Sequence, residues 1–293
     1  MSNTETTHYD TLVLSGGSTK GLVTLGAIQY CYDNYLLTNV SNYIGTSSGC
    51  AISFLLIIGY TPVEIITYIC THQLMEKMQH FNLVAMLQGR GVMSFNNIQE
   101  QLEKMTIEKL GYLPTLQDLR DKFGKNLVCV THNLSKQKTE YLSCTNNPSI
   151  PCLTAIRMSC NLPLIFENYK YGDSLYIDGG ISDNFPINVG DDAGTKVLGI
   201  VLVPDSSNAY NMDNIMEYIY NLLFIPIEQA IEYKISLASE ACHIVRLPCD
   251  NFNYFEFDMS STQKLEMFSN GYTAMSKQLS KKKIFAGINK HVI

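Results

Sequence analysis

Two short apolar segments, each running into a glycine-rich turn and then a helical pattern, constrain what this chain can fold into. Tyr9 to Leu14 leads into Ser15-Gly16-Gly17-Ser18-Thr19-Lys20-Gly21. A helix is predicted from about Gly21 to Tyr35, with Leu22, Leu25, Ile28 and Gln29 at helical spacing. Tyr43-Ile44 leads into Gly45-Thr46-Ser47-Ser48-Gly49, and the apolar stretch Cys50 to Ile58 reads as a buried helix. Another helix starts at Thr61-Pro62-Val63-Glu64, which has the form of a capping box with proline at the first helical position.

Further along, Leu127 to Asn133, Thr139 to Leu142, Leu175 to Ile177 and His243 to Leu247 read as strands, and Pro151 to Ser159 as a helix. Lys196 to Val203 is a continuous apolar run, the mark of a strand buried on both faces. Helices fill the rest. Alternating strands and helices predict an α/β fold, a three-layer α/β/α sandwich with a mainly parallel central sheet. No linker, repeat or low-complexity block divides the chain, so residues 9–293 are expected to form a single domain.

Composition excludes several function classes. With a net charge of −6 over 293 residues, the chain lacks the basic face that nucleic-acid binding requires. Its one basic run, Lys281-Lys282-Lys283, reads as a solvated helix face in preference to a contact with membrane phosphates. A charged fraction of only 16% implies a large core or some apolar surface that meets a partner. Nine cysteines stand singly with no Cys-x-x-Cys pair, so neither a zinc site nor a redox motif is expected. Together with a polar start, Met1 to Asp10, that lacks a signal-peptide pattern, they point to free thiols and a cytoplasmic location. The longest apolar run, Cys50 to Tyr60, is about half of the roughly 20 residues needed to span a bilayer.

Three constellations carry chemistry. Gly45-Thr46-Ser47-Ser48-Gly49 fits Gly-x-Ser-x-Gly, in which a sharp strand-to-helix turn lifts the central hydroxyl above the sheet edge. Glycines on either side spare a strained backbone any side-chain bulk, and the following helix N-terminus favours developing negative charge. Ser48 is off-centre, so Ser47 is the candidate nucleophile. The turn Gly16 to Gly21 can gather backbone N–H groups on an anion, either a nucleotide phosphate or an oxyanion. The Walker pattern fails because Lys20 precedes the last glycine, and the dinucleotide pattern fails because Ser18 replaces its second glycine. With a nucleophile turn about 25 residues later, an oxyanion hole at Gly16, Gly17 and Ser18 is the better reading. The third is Tyr176-Ile177-Asp178-Gly179-Gly180, a strand ending in an aspartate at the same sheet edge; alone it reads as a common Asp-Gly turn.

In their order and spacing, Gly16–Gly21 with Lys20, Gly45–Gly49 and Asp178–Gly180 resemble the glycine loop, serine elbow and Asp-Gly-Gly of the patatin-like phospholipase family. Thr154 to Phe166 is similar to the family segment ahead of its aspartate, and Asn184-Phe185-Pro186 to the one behind it. Gly59 to Pro62 and Pro114 to Leu119 also match family positions. Ser18 stands where the family often has a third glycine, and Lys20 where arginine is commoner.

The resemblance implies a serine acyl hydrolase acting on lipid or phospholipid acyl esters at a membrane or micelle surface, without cofactor or metal. It implies a Ser–Asp dyad, in which Asp178 takes the Ser47 proton and the N–H groups of Gly16–Ser18, with that of Ser48, hold the oxyanion. Two other readings stand beside it. A Ser–Asp–His triad would use His243 or His291, both of which follow Asp178. A catalytically silent module would bind lipid or a partner with the same fold. The apolar stretch Ile215 to Ile231, with Met216, Tyr218, Leu222, Leu223, Phe224 and Ile227, reads as a helix buried against the sheet or as a lid.

Overall fold

A computed structural model describes residues 8–72, 91, 93–204, 215–249 and 259–288. The strands are β1 (Thr11–Leu14), β2 (Asn42–Thr46), β3 (Asn126–Asn133), β4 (Lys138–Leu142), β5 (Tyr169–Tyr171), β6 (Ser174–Asp178), β7 (Val197–Pro204) and β8 (Cys242–Cys249). They form one sheet in the order β5-β6-β3-β2-β1-β7-β8, with β4 also paired to β3. From β3 to β8 that path is parallel, while β4, β5 and β6 join antiparallel. The sheet is therefore parallel at its centre and antiparallel at one flank.

The helices are α1 (Gly21–Asp33), α2 (Ser48–Ile57), α3 (Pro62–Thr71), α4 (Asn96–Leu110), α5 (Leu116–Phe123), α6 (Cys152–Ser159), α7 (Gly180–Asp183), α8 (Ile187–Asp191), α9 (Ile215–Leu237) and α10 (Ser261–Ile288). α3 starts with the expected capping box, Thr61 accepting from the Glu64 N–H with Pro62 behind it. α5 starts with another, Thr115 and Asp118.

Alternation along the central strands builds two cores. Leu12 and Leu14, Leu127 and Cys129, and Leu198, Ile200 and Leu202 face one side, where Leu25, Ile28, Phe54 and Ile156 pack on them. Val13, Ile44, Val128, Val197 and Val201 face the other, against Phe185, Ile187, Ile227 and Ile231. Helices thus cover both faces of the sheet, as a three-layer sandwich requires. The predicted strand and helix ends lie within two residues of those observed, except that the helix from Ile215 runs on past Ile231 to Leu237. The short β5 carries no sequence pattern, because two of its three residues are exposed.

On the first side, α10 lies against α1. A Cβ at Gly26 would sit 1.8 Å from the Phe268 carbonyl oxygen, and one at Gly271 1.8 Å from that of Val23. The two backbones touch at these glycines, and Met275 and Leu279, one and two turns further on, continue the buried stripe. No single described helix is long and apolar enough to cross a membrane; α2 and α3 have the length together, but the chain bends by 119° between them. All nine cysteines are free thiols.

Candidate active site

β3 sets the position of both candidate catalytic residues. One of its edges is taken by β4 along Cys129–Asn133, so β2 and β6 share the other. β2 arrives parallel and ends with Thr46 opposite Val130; β6 arrives antiparallel and ends with Asp178 opposite Thr131. Ser47 follows Thr46, and its Oγ donates to Asp178 Oδ2 at 2.7 Å.

The turn at Ser47 is strained and held on several sides. Its φ of 52° and ψ of −124° are unfavourable for a residue with a side chain, at a cost of about 1–3 kcal/mol. Its N–H donates to Ser159 Oγ (2.9 Å), which in turn donates to the Val130 carbonyl (2.6 Å). Thr46 Oγ1 donates to the Asp183 carbonyl at 2.9 Å. The flanking glycines are required by close approach. A Cβ at Gly45 would lie 2.6 Å from Cys50 N, and one at Gly49 2.7 Å from the Leu14 and Ser15 carbonyl oxygens.

Asp178 is buried, and both of its oxygens are engaged. Oδ2 accepts from Ser47, and Oδ1 accepts from the Gly180 N–H at 2.7 Å. Its own N–H donates to the Asn161 carbonyl at 2.8 Å. Gly179 passes so near β3 that a Cβ there would lie 2.2 Å from the Val130 carbonyl oxygen. Burial pushes the Asp178 carboxyl from 3.8 up to about 6, with the bonds from Ser47 and Gly180 pulling it partly back. A carboxylate so tuned is ionised at neutral pH and is a stronger base than an exposed one.

The glycine loop packs directly on this pair. A Cβ at Gly16 would lie 3.2 Å from Ser47 Cβ, and the Gly16 N–H donates to the Asn184 carbonyl at 3.1 Å. That N–H therefore already has an acceptor within the protein. Gly17, Ser18 and the buried Lys20 border a cavity of about 50 Å³ with Ser47 and Asp178. A 3-10 turn over Ser18–Lys20 then leads into α1 at Gly21, with Ser18 at a φ of 50°.

α9 roofs this cavity. Phe224, Ile227, Glu228 and Ile231 line it, and Ile227 and Ile231 also belong to the second core. On the outer side of the helix Tyr218, Leu222 and Ile225 are exposed. The stretch from Ile215 is thus a packed helix and also the cover of the candidate site; the side chain of Met216 lies outside the described residues. Lys234 ties the helix down through an ion pair with Asp183 (2.5 Å), which also accepts from the Tyr141 hydroxyl at 2.8 Å.

Sequence reasoning left several supports without a role. Ser159, Asn161 and Asn184 lie in the segments noted around Asp178; Ser159 and Asn184 bond Ser47 and Gly16, distant in the chain, and Asn161 bonds the Tyr176 carbonyl 15 residues on. Arg157 is buried, donates to Asn161 Oδ1 at 2.5 Å, pairs with Glu167 at 3.1 Å and lies 4.3 Å from the centre of the Phe95 ring. It braces the backbone that carries the Asp178 N–H bond. His243 bonds Tyr9 and pairs in register with Leu198, level with Leu12 and Tyr43. That places it about 13 Å along the strands and about 14 Å across them from Ser47, out of hydrogen-bond reach. His291 lies outside the described residues, as do the side chains of Lys281–Lys283.

Comparison with known proteins gives the same picture of the core. The family model for patatin-like phospholipases matches residues 12–191, from β1 through α8. A probable lipid hydrolase of Invertebrate iridescent virus 6 is 34% identical over 188 residues, covering 62% of this chain and 63% of its own length, just under two thirds. An uncharacterized protein of Acanthamoeba polyphaga mimivirus is 27% identical over 92% of this chain and 93% of its own. Among solved structures, VipD from Legionella pneumophila shares the fold with a TM-score of 0.62 at 17% identity, over 94% of this chain and 67% of that one.

Proposed function

The chain belongs to the patatin-like phospholipase family, and we propose that it is a lipid acyl hydrolase with Ser47 as nucleophile and Asp178 as base. The observation that carries this reading is the 2.7 Å bond from Ser47 Oγ to a buried carboxylate whose pKa is raised to about 6. In the first half-reaction Ser47 Oγ attacks the ester carbonyl and its proton passes to Asp178 Oδ2. The N–H groups of Gly17 and Ser18, with that of Ser48 at the start of α2, hold the tetrahedral oxyanion. Collapse expels the alcohol, which takes the proton from Asp178 and leaves acyl-Ser47. Water, deprotonated by Asp178, then attacks the acyl-enzyme; collapse releases the fatty acid as Asp178 returns the proton to Ser47 Oγ.

Residues 9–293 act as one domain in this reading, supported by two cores built on a single sheet. The exposed Tyr218, Leu222 and Ile225 on the outer side of α9 suit a helix that meets a lipid surface while its inner side covers Ser47. The protein then works peripherally on membranes or micelles.

Labelling by a fluorophosphonate probe tests the reading. Wild type should label at Ser47 and hydrolyse acyl esters, and Ser47→Ala should do neither. A folded wild type that neither labels nor hydrolyses any ester would favour the silent binding module. Equal rates on vesicles and on soluble monomeric esters would remove the lipid-surface role of α9.

A further inference from the structure

A long acyl ester brings Ser47 a chain that the cavity above it, at about 50 Å³, has no room to hold. A second cavity of about 570 Å³ begins at the same place and lies on the opposite side of the sheet from α9. Ser18 borders both cavities, and Gly21 and Ser48 join it at the near end of the larger one. Beyond that end the walls turn apolar. Leu25 of α1 and Ile52 and Leu55 of α2 form one side, facing Ile65 and Ile69 of α3 and Leu102 of α4.

The polar groups of this groove are arranged unevenly. Tyr68, Thr71, His72, Gln101 and Lys264 are all hydrogen-bonded within the protein. Thr19 Oγ1 and Ser48 Oγ are shielded from solvent and have no hydrogen-bond partner among the described residues. Both belong to the end beside Ser47. The polar residues Ser18, Thr19 and Ser48 thus gather at the end of the groove beside the nucleophile. The groove therefore asks for a molecule with hydrogen-bonding atoms at Ser47 and a long apolar remainder.

We propose that this groove holds the fatty-acyl chain of the substrate, entered between Ser18 and Ser48, while the alcohol portion stays on the α9 side of Ser47. This rests on the assignment of Ser47 as nucleophile. The ester end stays at Ser47, next to the end of the groove that Ser18, Thr19 and Ser48 border, and the methylenes run between α1–α2 and α3–α4. Each methylene removed from water is worth about 0.8 kcal/mol, or about fourfold. Specificity (kcat/KM) on p-nitrophenyl esters should therefore climb by up to about that factor per carbon until the groove is full.

Ala51→Phe on α2 and Ile69→Trp on α3 fill the groove from facing walls at half-buried positions. Each should lower the ratio of kcat/KM for dodecanoate ester to that for butyrate ester at least tenfold. Ile107→Trp, on the exposed side of α4, should leave the ratio as in wild type. An unchanged ratio in folded Ala51→Phe and Ile69→Trp would overturn the proposal. A second arm is independent of turnover. By calorimetry, Ser47→Ala should bind dodecanoate, and adding Ala51→Phe or Ile69→Trp should abolish that binding. No binding to Ser47→Ala, or binding undiminished by both fillings, sinks the groove. Loss of all ester hydrolysis and labelling in wild type would instead sink the Ser47 assignment, with the binding arm still deciding the groove.

Discussion

Thr46 and Asp178 lie opposite consecutive residues of β3, Val130 and Thr131, although the strands they end run in opposite directions. The separation of the two candidate catalytic groups is therefore fixed by ladder hydrogen bonds rather than by loop conformation.

The first consequence is a pH profile. Asp178 must be ionised to accept the Ser47 proton, and its carboxyl is raised to about 6. On a soluble ester, kcat/KM should hold above pH 7 and fall about tenfold per unit below 6. Asp178→Asn should lower it by about 10²–10⁴. A profile flat down to pH 4.5 would contradict the assignment.

The same shift predicts a stability gain on losing the base. A carboxyl raised from 3.8 to about 6 binds more protons folded than unfolded, so stability falls as pH climbs between those values and stays lower above them. Asp178→Asn removes that penalty; its Oδ1 still accepts from the Gly180 N–H, and its Nδ2 donates to Ser47 Oγ in place of the bond that Asp178 accepts. Urea unfolding at pH 7 should show a gain of on the order of 2–3 kcal/mol, largely gone at pH 4. A variant less stable than wild type at pH 7 would show that burial is not what raises Asp178.

Ser159→Ala strands the Ser47 N–H and the Val130 carbonyl, both bonded by one hydroxyl. The expected cost is about 2 kcal/mol. Because that bond holds the strained Ser47 backbone, kcat should fall by about tenfold or more with KM little changed. A loss of stability with normal kcat would reduce Ser159 to packing.

Lys234→Met leaves the Asp183 carboxylate buried with only Tyr141 as a side-chain donor. Breaking such a pair costs about 3–5 kcal/mol, and Lys234→Met combined with Asp183→Asn should recover much of it. Amide exchange in α9 should quicken in the single variant. Unaltered exchange there would mean that the pair does not fasten the cover.

His243→Ala should keep esterase activity within about threefold, since the ring bonds Tyr9 at the other end of the strands. Loss of turnover with the fold intact would revive a triad.

Much of this was legible in the sequence, because each glycine turn sits where an apolar run ends and local pattern alone signals both. The serine elbow and the aspartate at the end of β6 were found in that way. Strand direction was not legible: alternation in Leu175 to Ile177 is the same whether β6 runs parallel or antiparallel. Neither was the shared edge of β3. The Ser47–Ser159 bond spans 112 residues, and the Asn184 carbonyl that occupies the Gly16 N–H lies still farther off in sequence, so no local signal marks either. Arg157 looks like a surface residue until Glu167 and Phe95 fold around it.

The touching glycines of α1 and α10 bear on the order of assembly. α1 leaves the glycine loop early in the chain, but its outer side is sealed only when Gly271 reaches Gly26. On the ribosome, the loop beside Ser47 is made long before the helix that braces it. A late closure of this kind, across most of the sequence, makes for slow folding and leaves the side of α1 around Val23 and Gly26 wet in the unfinished molecule. Refolding followed by a probe on α10 should lag behind one on β3, and a nascent chain stopped before Ser261 should be held by chaperones rather than released as an active hydrolase.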